Sequence, residues 1–305
     1  MNPYSRSRLA IAVSGLAALI LTVAPLSTAV AQPGSAPTAI TPGAGKPLSV
    51  EEARENVRRA PNDPEAHIAL GGAYRRTRKP QEALAEFQKA AALAPKASAP
   101  QVSIGAAYMD LGRNKEAERA FRKALELNPK DGTAYLNLGT YHNLEGRRDD
   151  ALANYRKATE VSPELADAWV NLGILLNEIG RSDEARQAYG KALAQDSTNV
   201  RAINNLGNAN YALGRTQEAT TLYRKALRLD PRNQEAMYNL GVAFADAQIY
   251  KQALDYWRWV VATDSTTMVA QSAKNSIQVL EEFLAQQQKA ASQGAGQTPP
   301  APSGH

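Results

Sequence analysis

The sequence predicts an all-α fold, an α-solenoid of six 34-residue helix–turn–helix repeats. Glycine and alanine each recur every 34 residues over six units, without an insertion or a deletion. The glycines are Gly71, Gly105, Gly139, Gly173, Gly207 and Gly241, and the alanines are Ala83, Ala117, Ala151, Ala185, Ala219 and Ala253. Apolar residues between them follow a helical spacing, as at Trp169, Leu172 and Leu176. Self-similarity at such a period is typical of units that stack to bury a shared core.

Each unit is predicted to contain two helices. The first helix is expected to end at a glycine in the left-handed conformation, as at Gly112, Gly146, Gly180 and Gly214. Ser182 and Thr216 are predicted to cap the second helices of their units. An aromatic residue follows each repeat alanine by four, and we expect these rings to fill the space between neighbouring units. The rings belong to Phe87, Phe121, Tyr155, Tyr189, Tyr223 and Trp257.

The flanking segments differ in composition from the repeats. Residues 32–47 are rich in Pro, Gly and Ala and are predicted to be a flexible linker. Residues 48–63 are predicted to be an N-terminal capping helix that begins with a capping box at Ser49 and Glu52. The repeats then span 64–267, as 64–97, 98–131, 132–165, 166–199, 200–233 and 234–267. An apolar stripe predicts a C-terminal capping helix over 268–290, and 291–305 is predicted to be a disordered tail.

Residues 1–31 have the pattern of an export signal. Arg6 and Arg8 precede an apolar run from Leu9 to Ala24, and the segment 29–31 reads Ala-Val-Ala, a small-x-small cleavage site. The pattern is typical of a bacterial protein that is periplasmic or secreted. The alternative is an uncleaved anchor in the inner membrane, although the run is shorter than the ~20 residues that a span needs. We expect membrane contact only through this segment, and only if it is not cleaved.

Composition excludes several kinds of functional site. The 305-residue chain has no cysteine, which rules out disulfides, thiolate metal sites and cysteine nucleophiles. Its three histidines, His67, His142 and His305, are too few for a multi-histidine metal site. The net charge of +5 is spread along the chain and is too weak to indicate a nucleic-acid partner. We therefore expect no metal, no small-molecule cofactor and no nucleic acid.

These repeats resemble the tetratricopeptide repeat family, whose 34-residue unit has the pattern W-x2-L-G-x2-Y…A-x3-F…P. The fourth unit carries Trp169, Leu172-Gly173, Ala185 and Tyr189 at the matching places, whereas Ser197 replaces its final proline. The resemblance implies a right-handed superhelix whose concave face is lined by the first helices. It also implies that this face binds extended peptide segments or partner helices.

One place of the repeat carries a row of asparagines. Counting from the first residue of each unit, place six holds Asn137, Asn171, Asn205 and Asn239. An amide both donates and accepts hydrogen bonds, so a row of amides can pair with a peptide backbone whatever its side chains. The row is similar to the asparagine ladder in the repeat arm of a family of protein glycosyltransferases. Alternatively, the amides bond within the stack, because a buried amide needs a partner in either case.

Four further residues are predicted to cluster in the groove between units five and six. They are Asn204, Asn208, Tyr211 and Tyr238. The two tyrosines lie outside the core pattern, which predicts that they are exposed and act as interface anchors.

The sequence therefore predicts a non-enzymatic protein–protein interaction scaffold of an exported compartment, with a partner or peptide segment bound in the concave groove. No cluster of acids, bases or ligands of the kind that an enzyme needs is found. His67 and His142 occupy framework places and are interpreted as packed, hydrogen-bonded core residues. The alternative function is a structural or self-associating component of a cell-envelope assembly.

Overall fold

The computed structural model describes residues 47–295, and this part of the chain contains fourteen α-helices and no strand. The helices are α1 Val50–Arg59, α2 Pro64–Arg76, α3 Pro80–Leu93, α4 Ala99–Asp110, α5 Asn114–Leu127, α6 Gly132–Leu144, α7 Arg148–Val161, α8 Ala166–Glu178, α9 Ser182–Gln195, α10 Val200–Ala212, α11 Thr216–Leu229, α12 Gln234–Asp246, α13 Tyr250–Thr263 and α14 Met268–Ala295. The predicted all-α fold of helix–turn–helix repeats is confirmed. The predictions for residues 1–31, for the linker up to 46 and for 296–305 lie outside the described residues.

Contacts divide the described chain into two compact units, residues 47–202 and residues 203–295. In the first unit, each helix from α1 to α9 packs on the next, and the first helices α2, α4, α6 and α8 also contact one another in order. In the second unit, α11 packs on α12 and α12 packs on α13. The long helix α14 packs on both α12 and α13, so it takes the position that the first helix of a further repeat would take.

Local sequence signals explain several of the helix ends. The predicted capping box of α1 is present, because Ser49 Oγ accepts from Glu52 N and Glu52 Oε2 accepts from Ser49 N. The predicted left-handed glycines are also present, with φ between 70° and 79° at the ends of α4, α6, α8 and α10. In the first and last repeats the same position is occupied by Arg78 and Gln248, with φ of 57° and 61°.

The caps predicted for two second helices are wrong. Ser182 and Thr216 are the first residues of α9 and α11, and the N-cap residues are Arg181 and Arg215, which make no side-chain cap bond. The turn after each left-handed glycine leaves a single residue outside the helix, so the hydroxyl residue falls one position too late. Ser182 Oγ instead donates to Asn177 Oδ1 at 2.9 Å.

The repeat aromatics cover the glycines of their own repeats. A Cβ atom added to any of the six repeat glycines would lie 2.3 to 2.7 Å from the nearest ring atom. In the fourth repeat, a Cβ atom added to Gly173 would lie 2.6 Å from Cε1 of Tyr189. The Tyr189 side chain is only 1% exposed. The rings therefore fill the space between the two helices of one repeat, whereas the sequence led us to expect them between neighbouring units.

The C-terminal capping helix is longer than predicted. It runs from Met268 to Ala295 rather than ending at 290, so the segment 291–295 is helical and not part of a tail. Ala270, Ala273, Ser276 and Leu280 form its buried face.

Candidate functional site

The predicted site residues lie on the first helices of the repeats. In residues 47–202 these helices contact one another in order, which brings equivalent places of successive repeats into line. In residues 203–295 the first helices are the part of α10 from Ile203 onward and α12. In each unit, we call the side of these helices that carries place six the first-helix face.

In the first unit, two asparagines of the row have partners within the chain. Asn137 is only 5% exposed, and its Nδ2 donates to the backbone oxygen of Thr133 at 2.9 Å. Asn171 is half-buried, and its Oδ1 accepts a hydrogen bond from the guanidinium of Arg201. The contact with Arg201 was not predicted, because the two residues lie 30 positions apart in sequence.

In the second unit, three half-buried asparagines form a connected network. Asn208 Oδ1 accepts from Asn239 Nδ2 at 2.8 Å and from the phenol of Tyr223 at 2.9 Å. Asn208 Nδ2 lies 3.5 Å from Asn205 Oδ1. Among the described residues, none bonds to Asn205 Nδ2 or to Asn239 Oδ1. This amide network, Asn205, Asn208 and Asn239, thus keeps one donor group and one acceptor at a partly exposed surface.

Asn204 does not belong to the face. Its side chain is only 1% exposed, so the prediction that it lines the groove is wrong. Nδ2 donates to Glu235 Oε2 at 3.1 Å, and Oδ1 is buried without a hydrogen-bond partner. The sequence carried a signal for this burial, because place five is apolar in the first four repeats. The residues there are Ile68, Val102, Leu136 and Val170.

Tyr238 also belongs to the core, and the prediction that it is an exposed anchor is wrong. It is 9% exposed, its hydroxyl lies 3.2 Å from Ser276 Oγ, and its ring centroid lies 6.2 Å from that of Trp257. Burial raises the pKa of the Tyr238 phenol, and the hydrogen bond with Ser276 offsets part of this rise. The physical reason is that α14 packs on α12 and covers this position.

Tyr211, in contrast, stays half-buried and reaches a carboxylate. Its phenol donates a hydrogen bond to Oδ2 of Asp246, the last residue of α12. Burial raises the pKa of Asp246. Asp246 was not singled out from the sequence, although a signal was present. An acid stands at place thirteen of every second repeat, as Asp110, Glu178 and Asp246.

The two internal histidines are packed and hydrogen-bonded, as predicted. His67 is 5% exposed, with Nδ1 2.6 Å from Glu86 Oε2 and Nε2 3.0 Å from the backbone oxygen of Pro61. His142 is 6% exposed, and its Nδ1 lies 3.2 Å from Asn154 Nδ2. Both side chains join helices of the framework, and neither lies in the amide network.

The described residues were searched for metal-binding groups and for membrane-spanning helices. Within residues 47–295, no group of three His, Asp or Glu side chains is placed to hold a metal ion. In the same range, none of the helices combines the length and the apolar character that a membrane crossing requires.

Comparison with known families identifies the repeats. Tetratricopeptide repeat models match residues 64–97, 97–164, 131–198 and 207–248, which together make up more than half of the chain. The chain belongs to the tetratricopeptide repeat (TPR) family. Each matching model describes a TPR repeat. A search of curated protein sequences finds no match.

Solved structures share the TPR fold at low sequence identity. A chain of the APC/C hetero-tetramer Cut9–Hcn1 is similar with a TM-score of 0.65 and 17% identity, over 75% of this chain and 45% of that chain. This chain therefore matches less than half of that relative's length. PilF of Pseudomonas aeruginosa gives a TM-score of 0.61 and 16% identity, over 73% of this chain and 98% of the PilF chain. YrrB, a TPR protein with an unusual peptide-binding site, gives a TM-score of 0.51 and 23% identity, over 62% of this chain and 97% of the YrrB chain.

Proposed function

We propose that this TPR protein is a non-enzymatic interaction scaffold of an exported compartment that binds an extended peptide segment of a partner along its first-helix face. The observation that carries the proposal is the amide network of Asn205, Asn208 and Asn239. Asn239 Nδ2 donates to Asn208 at 2.8 Å, Asn205 lies 3.5 Å from Asn208, and all three side chains are half-buried, with one donor group and one acceptor left unbonded among the described residues. An extended backbone presents alternating N–H and C=O groups, which these amide groups can pair without reading the side chains.

The internal bonds of the network favour binding rather than oppose it. Tyr223, which is 1% exposed, anchors Asn208, and Asn208 in turn orients Asn239. Amides whose rotamers are already fixed lose little conformational entropy when a ligand binds. YrrB, which shares the fold, shows that TPR repeats can carry a peptide-binding site.

Affinity capture with a matched pair of variants tests this proposal. The purified chain is used as bait for the exported fraction, beside a double variant with Asn205→Ala and Asn239→Ala. A control variant carries Asn56→Ala and Asn62→Ala, two exposed amides that lie on α1 and the turn after it. We expect partner recovery to fall about tenfold for the double variant, because each hydrogen bond lost to the partner costs roughly 0.5 to 1.5 kcal/mol.

The control variant is expected to keep its partners, and a melting curve checks that each of the three proteins is folded at the assay temperature. If the double variant folds normally and keeps the same partners, the asparagines serve only the internal bonds and the proposal fails.

The exported location rests on residues 1–31, and an intact-mass measurement tests it. After expression in a bacterial host, we expect the periplasmic fraction to contain a chain that begins at Gln32, because the Ala-Val-Ala site precedes this residue. A full-length chain in the membrane fraction would instead support the uncleaved inner-membrane anchor.

An exposed aromatic patch favours a second candidate, a structural or self-associating component of a cell-envelope assembly. Trp259 is 45% exposed and its ring centroid lies 6.1 Å from that of Tyr256, which stacks on Phe244 at 5.5 Å. Exposed apolar patches often mark contacts with other chains. A defined oligomer in light scattering that Trp259→Ala dissociates would favour this candidate, whereas a monomer would favour the scaffold.

A further inference from the structure

Two pairs of repeats join their first helices through the same two positions. Arg75 on α2 bonds to Asp110 at the end of α4, and Tyr211 on α10 bonds to Asp246 at the end of α12. In both pairs the acid follows its donor by 35 residues, which is one repeat plus one position. The first pair therefore shows what a carboxylate at this position of the fold binds when the chain supplies a cation.

The two carboxylates differ in how their charge is neutralised. The guanidinium of Arg75 contacts Asp110 with Nε at 2.5 Å and Nη2 at 3.2 Å, a two-point ion pair. The phenol of Tyr211 donates one hydrogen bond to Asp246 and leaves the negative charge in place. Among residues 203–295, Asp246 forms no ion pair. The carboxylate also lies at the C-terminal end of α12, where the helix dipole adds partial negative charge.

Charge is segregated on this part of the chain. On α12 and on α10 from Ile203 onward, the charged side chains are the acids Glu235 and Asp246. The bases between 203 and 246 lie on α11 and its adjoining turns, and they are Arg215, Arg224, Lys225, Arg228 and Arg232. Asp246 therefore gives this end of α12 a negative charge, which favours a cationic ligand.

We propose that Tyr211 and Asp246 receive a lysine or arginine side chain of the bound segment, in the position that the guanidinium of Arg75 takes beside Asp110. This inference rests on the proposed function and names the chemistry of its ligand. The carboxylate of Asp246 pairs with the cation, and the ring of Tyr211 offers it an aromatic face.

The spacing along α12 links this receptor to the amide network. Asn239 and Asp246 are seven residues apart, so they lie on the same side of the helix, about 10 Å apart along its axis. An extended chain covers about 3.3 Å per residue. In the bound peptide, the lysine or arginine should therefore lie about three residues before or after the residue whose backbone pairs with Asn239.

Two pools of dye-labelled nonapeptides test the proposal. Both are randomised over Ala, Ser, Thr and Val, and the central residue is arginine in one pool and citrulline, its neutral isostere, in the other. Fluorescence anisotropy measures the binding of each pool to the purified chain at low salt. We expect the arginine pool to bind about fivefold more tightly, as the attraction of one partly exposed charge pair allows.

Three variants locate the effect. Asp246→Asn should bring the affinity ratio of the two pools close to one. Tyr211→Arg should also remove the preference and raise the melting temperature, because the chain then supplies its own guanidinium. The control Asp255→Asn removes an exposed acid on α13 and should leave the ratio unchanged.

Each other outcome is decisive. Equal binding of the two pools by the unchanged chain overturns the cation receptor and leaves the peptide-binding function standing. A preference that survives Asp246→Asn overturns the assignment to this carboxylate. If the unchanged chain binds neither pool, the peptide-binding function itself is contradicted, and the receptor with it.

Discussion

Replacing Gly173 by alanine is expected to lower the free energy of unfolding by about 3 kcal/mol, the upper part of the usual range for overpacking a core. The new Cβ atom would lie 2.6 Å from a ring carbon of Tyr189, well inside van der Waals contact. The ring is 1% exposed and cannot move aside without displacing its neighbours. Urea denaturation followed by circular dichroism measures the change.

The same repeat contains a matched control. Gly190 lies in the middle of α9 and is exposed, and a Cβ atom added there would have no heavy atom of another residue's side chain within 4 Å. Gly190→Ala is expected to raise the free energy of unfolding by about 0.5 to 1 kcal/mol, because alanine loses less backbone entropy in a helix than glycine does. The two substitutions add the same methyl group and should have opposite signs. A stabilising effect of Gly173→Ala would contradict the packing described for the repeat.

Replacing Tyr238 by alanine is expected to destabilise the protein by about 3 kcal/mol, as for other buried aromatic side chains. The substitution removes a ring that packs near Trp257 and a hydroxyl that pairs with Ser276, and it leaves a cavity beneath α14. Tyr211→Ala, at a half-buried position, is expected to cost about 1 kcal/mol or less. Urea denaturation of the two variants in parallel measures the difference.

This difference decides which tyrosine can report on binding. Loss of partner binding by a Tyr238 variant would reflect unfolding, whereas Tyr211→Phe removes only the hydroxyl that bonds to Asp246. Small and equal effects of the two alanine substitutions on stability would show that α14 does not cover Tyr238, and the prediction of an exposed anchor would then return.

The sequence by itself determined the repeat, its helices and its family. Glycine, alanine and the aromatic residues recur with one period, and each reports a local requirement, such as the left-handed turn at Gly180. Helical spacing and the left-handed glycine turns depend on a few neighbouring residues, so the sequence predicts them directly. Capping was predicted less well, because Ser182 and Thr216 lie one position inside their helices. The capping box at Ser49 and the buried histidines follow from the same kind of reasoning.

Only the tertiary structure decided which polar residues of the first helices reach the surface. Asn204 and Tyr238 share place five with apolar residues and are buried, whereas Asn205 and Tyr211 remain half-exposed. It also decided that Tyr211 donates a hydrogen bond to Asp246, which lies 35 residues later in the sequence. The physical reason is that burial depends on the neighbouring helix. A helix that comes later in the chain packs on an earlier one and covers one of its sides. The spacing of apolar residues within the earlier helix does not predict which side will be covered.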